Sequence, residues 1–198
     1  MKQTRSECTS PDYNPRVTRQ ILLDQLDAFR ASDDHEAGMA ARLRAFVASH
    51  EDCFQRTLLI GHVTGSALIV DLERTHTLLH HHGKLDKWLQ LGGHADGEAD
   101  VLAVATREAQ EESGLSQVRP VSPAIFDVDI HPIPARGAEP AHFHYDVRYL
   151  LEADRAQPLA ITPESKDLRW VPLTEVETLT TEESMVRMIR KARARFKA

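Results

Sequence analysis

Three glutamates on one predicted helical turn, Glu108, Glu111 and Glu112, constrain this chain more than any other feature. The preceding residues 101–105 are Ala- and Leu-rich and free of Gly and Pro, as a helix interior should be. At i, i+3 and i+4 the three carboxylates share one face. Like charges at those spacings repel by roughly 0.2–0.5 kcal/mol per pair. Helix formation alone disfavours such a cluster, so it asks for a cation, and oxygen-only ligands suit Mg²⁺ or Mn²⁺ rather than Zn²⁺. Just upstream runs Gly92-Gly93-His94-Ala95-Asp96-Gly97-Glu98, where backbone can approach a ligand closely. Asp100 is the expected N-cap of the helix and Gly114 its stop. An acidic solvated face is the bland alternative; it accounts for neither the repulsion nor the glycine loop.

At these residues the chain resembles the Nudix hydrolases. That family's signature reads Gly, five residues, Glu, seven residues, then Arg-Glu-(apolar)-x-Glu-Glu-x-Gly-(apolar). Arg107, Glu108, Ala109, Glu111, Glu112, Gly114 and Leu115 match its second half at every fixed position. The first half departs from it. Counted back from Arg107 the leading Gly is Gly93, but Ala99 stands where the Glu belongs, and Gly97-Glu98 comes one step early. A one-residue deletion in the loop explains this and gives Glu98 the missing Glu's part. The resemblance implies an α/β fold, the Nudix α/β/α sandwich with a mixed sheet. It also implies Mg²⁺- or Mn²⁺-dependent hydrolysis of a diphosphate bond in a nucleoside diphosphate linked to another moiety. Glu108, Glu111 and Glu112 are then the metal ligands, joined by the carbonyl of Gly93, or of Gly92 if the deletion shifts the register. Arg107 orients a carboxylate of the cluster. The general base is a signature glutamate or an acid on a later loop, of which Glu164 is best placed, ahead of Glu152, Asp154 and Asp167. Two other readings of the same fold are a nucleotide-sensing module without catalysis and a diphosphate isomerase. The isomerase branch relies on a Cys, and neither Cys8 nor Cys53 lies near the loop. Subfamily landmarks past the signature leave the substrate open: Ile130 stands where a Pro would mark ADP-ribose, and the first Tyr, Tyr145, is too far for dinucleoside polyphosphates.

The length of 198 residues allows one domain with an extension. We read residues 1–55 as an N-terminal helical extension and 56–198 as the signature-bearing domain. A net charge of −6 argues against a surface that coats DNA, but not against a nucleotide whose phosphates a metal can meet. Two widely spaced cysteines, no apolar run of membrane length and no signal-peptide core suggest a cytoplasmic protein.

Residues 1–14 read as a polar lead-in. Helical periodicity follows over 16–31, and Ser32-Asp33-Asp34 can cap a second helix carrying Met39, Leu43, Phe46 and Val47. This helical pair suits a structural extension, with a homodimer contact as one use. Strands are expected at 66–70 and 75–81 as a hairpin, at 88–91, 124–130, 143–151 and 168–171, with a loop over 132–140. An amphipathic helix closes the chain over 181–197.

Eleven histidines are the second oddity of the composition. His94 follows the glycine pair and is a substrate-binding candidate, as is Glu98. His142 and His144 share one strand face, and with His131 across the loop they suit phosphate or ribose contact, or an additional metal site. His80-His81-His82 reads as an exposed turn cluster. Trp88, Phe126, Phe143 and Tyr145 are the aromatics available to stack on a base.

Overall fold

Small and apolar side chains alternate without a break from Val63 to Val70, which suits a strand buried on both faces. In the computed structural model, which describes residues 15–197, this segment is the first strand and the spine of a mixed sheet. Residues 1–14, including the expected lead-in and Cys8, lie outside the described residues.

The elements run α1 (Pro15–Ala28), α2 (Asp34–Ser49), β1 (Gly61–Asp71), β2 (His76–His82), β3 (Lys87–Leu89), β4 (Leu91–His94) and α3 (Val101–Ser113), and continue with β5 (Val118–Pro120), β6 (Asp127–Ile133), β7 (His142–Ala153), β8 (Ser165–Pro172), a short 3₁₀ turn (Val176–Thr178) and α4 (Glu183–Phe196). The β1 and β7 strands pair in parallel over their whole shared length, from Gly61 beside Phe143 to Asp71 beside Ala153. The other edge of β1 is divided: β4 takes Thr64–Ala67 and β2 takes Ile69 and Val70. The outer edge of β7 is divided likewise between β6 and β5. The sheet therefore forks, with the glycine-bearing strand β4 on one arm.

Alternation along β1 and β7 separates two cores. Val63, Ala67, Ile69, Val147, Tyr149 and Leu151 pack beneath α3 together with α1 and α2. On the opposite face Leu68, Val70 and Leu150 meet Met185, Met188 and Ile189 of α4. The helical pair shares the first core through Leu22, Leu43 and Val47, and Phe46 stacks on Tyr145 with ring centroids 3.8 Å apart. Asp33 caps α2 by accepting the Glu36 N–H at 2.8 Å, and Tyr149 donates to Gln25 at 3.0 Å. No described helix is long and apolar enough to cross a membrane.

Several boundaries differ from those expected. The first strand begins at Gly61 rather than Ser66, because its His62 and Thr64 lie on a polar stretch of one face. The single short strand expected at 88–91 is two, β3 and β4, so Gly92, Gly93 and His94 are strand residues and not loop. The strand expected at 124–130 is shifted to Asp127–Ile133, and the edge strand β5 was not foreseen: three residues ending in a Pro carry little periodicity.

A layer of buried ions crosses the α4 side of the sheet. Asp127 is 0% exposed and receives the Arg187 guanidinium at 2.7 and 2.9 Å. Arg148 joins Asp146 at 2.7 Å and reaches Asp127 and Asp129, while Lys191 bridges Asp127 to the buried Glu36 of α2. Burial alone would raise the Asp129 carboxyl, but the His131 hydrogen bond and the Arg148 and Arg187 charges outweigh it and hold it at about 2. Asp127 is lowered for the same reasons, with Arg187, Arg148 and Lys191 overriding burial. Cys53 is fully buried, and burial pushes its thiol up to about 12.

Two predictions follow from this layer. Removing one partner strands a buried charge, so Arg187→Met should cost about 3–5 kcal/mol in urea denaturation, far more than an exposed arginine would. A carboxyl held at about 2 against an ordinary 3.8 contributes stability that is complete above the ordinary value and lost as pH falls through the lower one. The melting temperature should therefore drop between those limits, and Asp129→Asn should flatten that acid limb.

Candidate active site

The signature glutamates reach their positions through β4. This strand lies along β1, with Gly93 opposite Gly65 and Gly92 opposite Ser66, while α3 packs over the same part of β1. A Cβ on Gly93 would stand 2.5 Å from the Glu108 carboxylate, so only glycine lets that carboxylate lie against the strand backbone. One residue earlier, the Gly92 N–H donates to Glu112 Oε2 at 2.8 Å. Asp100 caps α3 by accepting the Ala103 N–H at 3.0 Å, and Gly114 ends the helix at φ 74, a left-handed conformation that glycine adopts without strain.

The three carboxylates are not equivalent. Glu112 is 7% exposed, the Glu108 side chain 15% and the Glu111 side chain 61%. Burial pushes the Glu112 carboxyl up to about 7; the Gly92 N–H opposes this, and the charges of Glu108, Glu164 and Glu111 add to it. Burial also raises Glu108, against the pull of Arg107 and with the help of Glu111 and Glu164. Arg107 holds Glu108 Oε1 at 2.7 Å and Glu111 Oε2 at 3.2 Å, and donates to the His94 carbonyl at 3.3 Å. One arginine thus faces a group of acids that resist ionising together. Two inward carboxylates and a third at the rim offer oxygen donors, the ligand type that Mg²⁺ and Mn²⁺ take.

Glu164 lies on the loop before β8, where its carbonyl accepts the Gly83 N–H at 2.7 Å beside a bulge in the β2–β8 ladder. Its carboxylate is exposed, has no hydrogen bond or ion pair among the described residues, and is near enough to add to the charge felt by Glu108 and Glu112. The other late acids are engaged elsewhere. Glu152 pairs with Arg119 at 2.8 Å, Asp167 pairs with Arg169, and Asp154 accepts the Ala156 N–H. Glu98 is exposed and accepts the Asp100 N–H at 2.9 Å. It stands at the start of α3, whereas Glu108 lies roughly 10 Å farther along the helix at ~1.5 Å per residue. Ala99, in the signature's Glu position, is 6% exposed.

The histidines divide into two groups. His80 is buried with its Nδ1 2.9 Å from Ser165 Oγ, His81 stacks on Trp88, and the His82 ring accepts the Lys84 and Leu85 N–H groups. This trio is part of the sheet and its turn. The expected His94, His131, His142 and His144 do converge, and they converge on a residue that sequence reasoning missed, His62. Its ring lies 5.0 Å from those of His94, His142 and His144, and His131 lies 5.4 Å from His144. Adjacent strands place His62, His144 and His131 in one row. The alternation of His62 and Thr64 with Leu68 and Val70 was the available signal, but the parallel register that sets His62 beside His144 was not readable. Burial lowers His62 to about 4 and His144 to about 2, each neighbouring ring adding to the effect.

Of the aromatics considered for stacking, Trp88 is covered by His81 on one side and by Arg169 at 4.5 Å. Phe126 is buried and Tyr145 is stacked on Phe46. Phe143 is 39% exposed and opens, with Ile60 and Pro132, onto a hollow of about 460 Å³.

Comparison with solved structures agrees with this architecture. An Ap4A hydrolase from C. elegans, seen as a binary complex, superposes with a TM-score of 0.56 at 18% identity, covering 68% of this chain and 97% of that one. A MutT protein from Methanosarcina mazei Go1 gives 0.52 at 16% identity, over 70% and 96% of the two chains. A Nudix hydrolase from M. smegmatis, RenU, gives 0.51 at 18% identity, over 69% and 87%. At these identities the likeness is one of fold. Among curated proteins no sequence match was found. The NUDIX domain model matches residues 62–192, a span that takes in both glycine strand and acidic helix, and the chain accordingly belongs to the NUDIX domain family.

Proposed function

We propose that this protein hydrolyses the diphosphate linkage of a nucleoside diphosphate joined to a second group, with Mg²⁺ or Mn²⁺ as cofactor. The observation that carries this reading is the pair Glu108 and Glu112, withdrawn from water and laid against Gly93 and Gly92 with too little positive charge to balance them. Glu108, Glu112 and the more exposed Glu111 would hold the ion, with the Gly93 carbonyl as a further ligand. A cation held by these residues would supply charge to offset the phosphates and would acidify a water molecule.

The chain's own groups divide the remaining work. Arg107 keeps Glu108 and Glu111 in place through two charge-assisted contacts, and its third contact, to the His94 carbonyl, ties that geometry to β4. Glu164 is our general base: a carboxylate without a hydrogen bond or ion pair among the described residues, close enough for its charge to act on Glu108 and Glu112, can accept the proton of the attacking water. His94, next to Gly93, turns its ring to the other face of the strand, toward His62 and His144, and we give it a contact with a phosphate oxygen there. Glu98, exposed and accepting the Asp100 N–H ahead of α3, we keep as a contact for substrate.

A panel of nucleotide sugars, dinucleotides, capped nucleotides and nucleoside triphosphates, incubated with Mg²⁺ or Mn²⁺ and resolved by chromatography, tests the activity itself. With the preferred substrate, Glu112→Gln and Glu108→Gln should each lower kcat by at least ~100-fold, whereas Glu111→Gln, at the rim, should cost less. The glutamine at position 112 can still accept the Gly92 N–H, so thermal stability should stay near wild type. Wild-type turnover in Glu112→Gln would overturn the assignment. Glu164→Gln should lower kcat by about 10²–10⁴-fold and leave KM and metal affinity unchanged; loss of metal affinity instead would make Glu164 a ligand rather than a base.

A further inference from the structure

We infer that His62, His142 and His144 form a second metal site, for Zn²⁺ or a similar late transition ion, distinct in chemistry from the carboxylate site. Each offers a ring nitrogen, and these three atoms lie within 4.8 Å of one another. Around a single Zn²⁺ at ~2.0–2.1 Å, imidazole nitrogens stand roughly 3.3 Å apart. Small rotations of the side chains close that gap.

The unmet polar atoms point the same way. Both ring nitrogens of His62, together with Nε2 of His142 and of His144, are buried and have no hydrogen-bond partner among the described residues. Buried polar atoms without partners are rare in folded proteins and call for an explanation. Here several of them converge from two strands paired in register, His62 on β1 beside His144 on β7, with His142 one strand repeat away. At His142 the tautomer is set. Its Nδ1–H donates to the Pro140 carbonyl at 2.9 Å, which leaves the Nε2 lone pair directed into the cluster. A ligating histidine is commonly held in this way by a backbone carbonyl on its other nitrogen. The Leu58 carbonyl faces the His62 ring in a similar sense, without reaching hydrogen-bond geometry.

Charge around the cluster is compatible with a dication. Glu139 Oε1 stands 3.8 Å from His142 Nε2 on the solvent side. Arg56, the neighbouring cation, is already neutralised by Asp96 at 2.5 Å. Nitrogen donors favour a transition ion over Mg²⁺, just as the oxygen donors of Glu108 and Glu112 favour the reverse. Three protein ligands would leave a fourth position for an exogenous oxygen, and the His94 ring lies 5.0 Å from those of His62 and His144. The inference does not depend on the hydrolase reading.

Protein stripped with a chelator and titrated with Zn²⁺ alone, against a chromophoric competitor, should take up one tight equivalent per chain. His62→Asn and His144→Gln should each weaken that equivalent by more than ~100-fold, beyond the 10–100-fold that follows loss of an outer partner. Glu112→Gln should leave it unchanged. Equal affinity in wild type and both histidine variants, or loss confined to Glu112→Gln, overturns the proposal. Should either histidine variant fail to fold by circular dichroism, zinc-edge X-ray absorption of the wild-type protein decides: three imidazole ligands support the site, and fewer overturn it.

Discussion

The parallel ladder between β1 and β7 is the constraint from which the rest of the molecule follows. Because eleven residues of each strand are paired in one unbroken register, the character of one face is set row by row. From the open end inward it carries His62 beside His144, then Thr64 and Asp146, then Ser66 and Arg148, then Leu68 and Leu150. A shift by one residue would turn all of these to the other side and put Val63 and Val147 in their place. Thr64 and Ser66 both donate to Asp146, at 2.9 and 2.7 Å, so the register is also written in hydrogen bonds between side chains. The same strand, through its divided edge, delivers β4 and hence Gly92 and Gly93 to the acidic helix.

Two kinds of buried charge coexist, and they behave oppositely. Around Asp127, carboxylates are matched by Arg148, Arg187 and Lys191, and their affinity for protons falls. Around Glu112, carboxylates meet other carboxylates, and their affinity for protons rises. The first arrangement is internally balanced and belongs to the architecture. The second is left unbalanced by the protein's own residues, and it is there that we propose a cation binds.

The acidic helix was legible because its signal is local: spacing along one helix decides which carboxylates share a face, and a glycine pair upstream marks close backbone approach. Its caps at Asp100 and Gly114 were legible for the same reason. His62 was not, since its significance depends on β7, some eighty residues later, lying parallel to β1. The inequality of Glu108, Glu111 and Glu112 was hidden too, because a helical wheel gives direction but not depth. What the one-residue deletion does locally was not readable from the motif: Glu98 is exposed and accepts the Asp100 N–H, while Ala99 is buried.

The contact between Glu36 and Lys191 joins residues 155 apart in the chain. Synthesis proceeds from the N-terminus, so Glu36 emerges long before the lysine and Arg187 that compensate its charge. The first two helices can acquire their own hydrogen bonds early and pack on the sheet before α4 exists, but the charge of Glu36 stays uncompensated until α4 arrives. Nascent chains halted before residue 187 therefore hold a buried carboxylate without its cations, so that the last helix to be made is the one that neutralises the second.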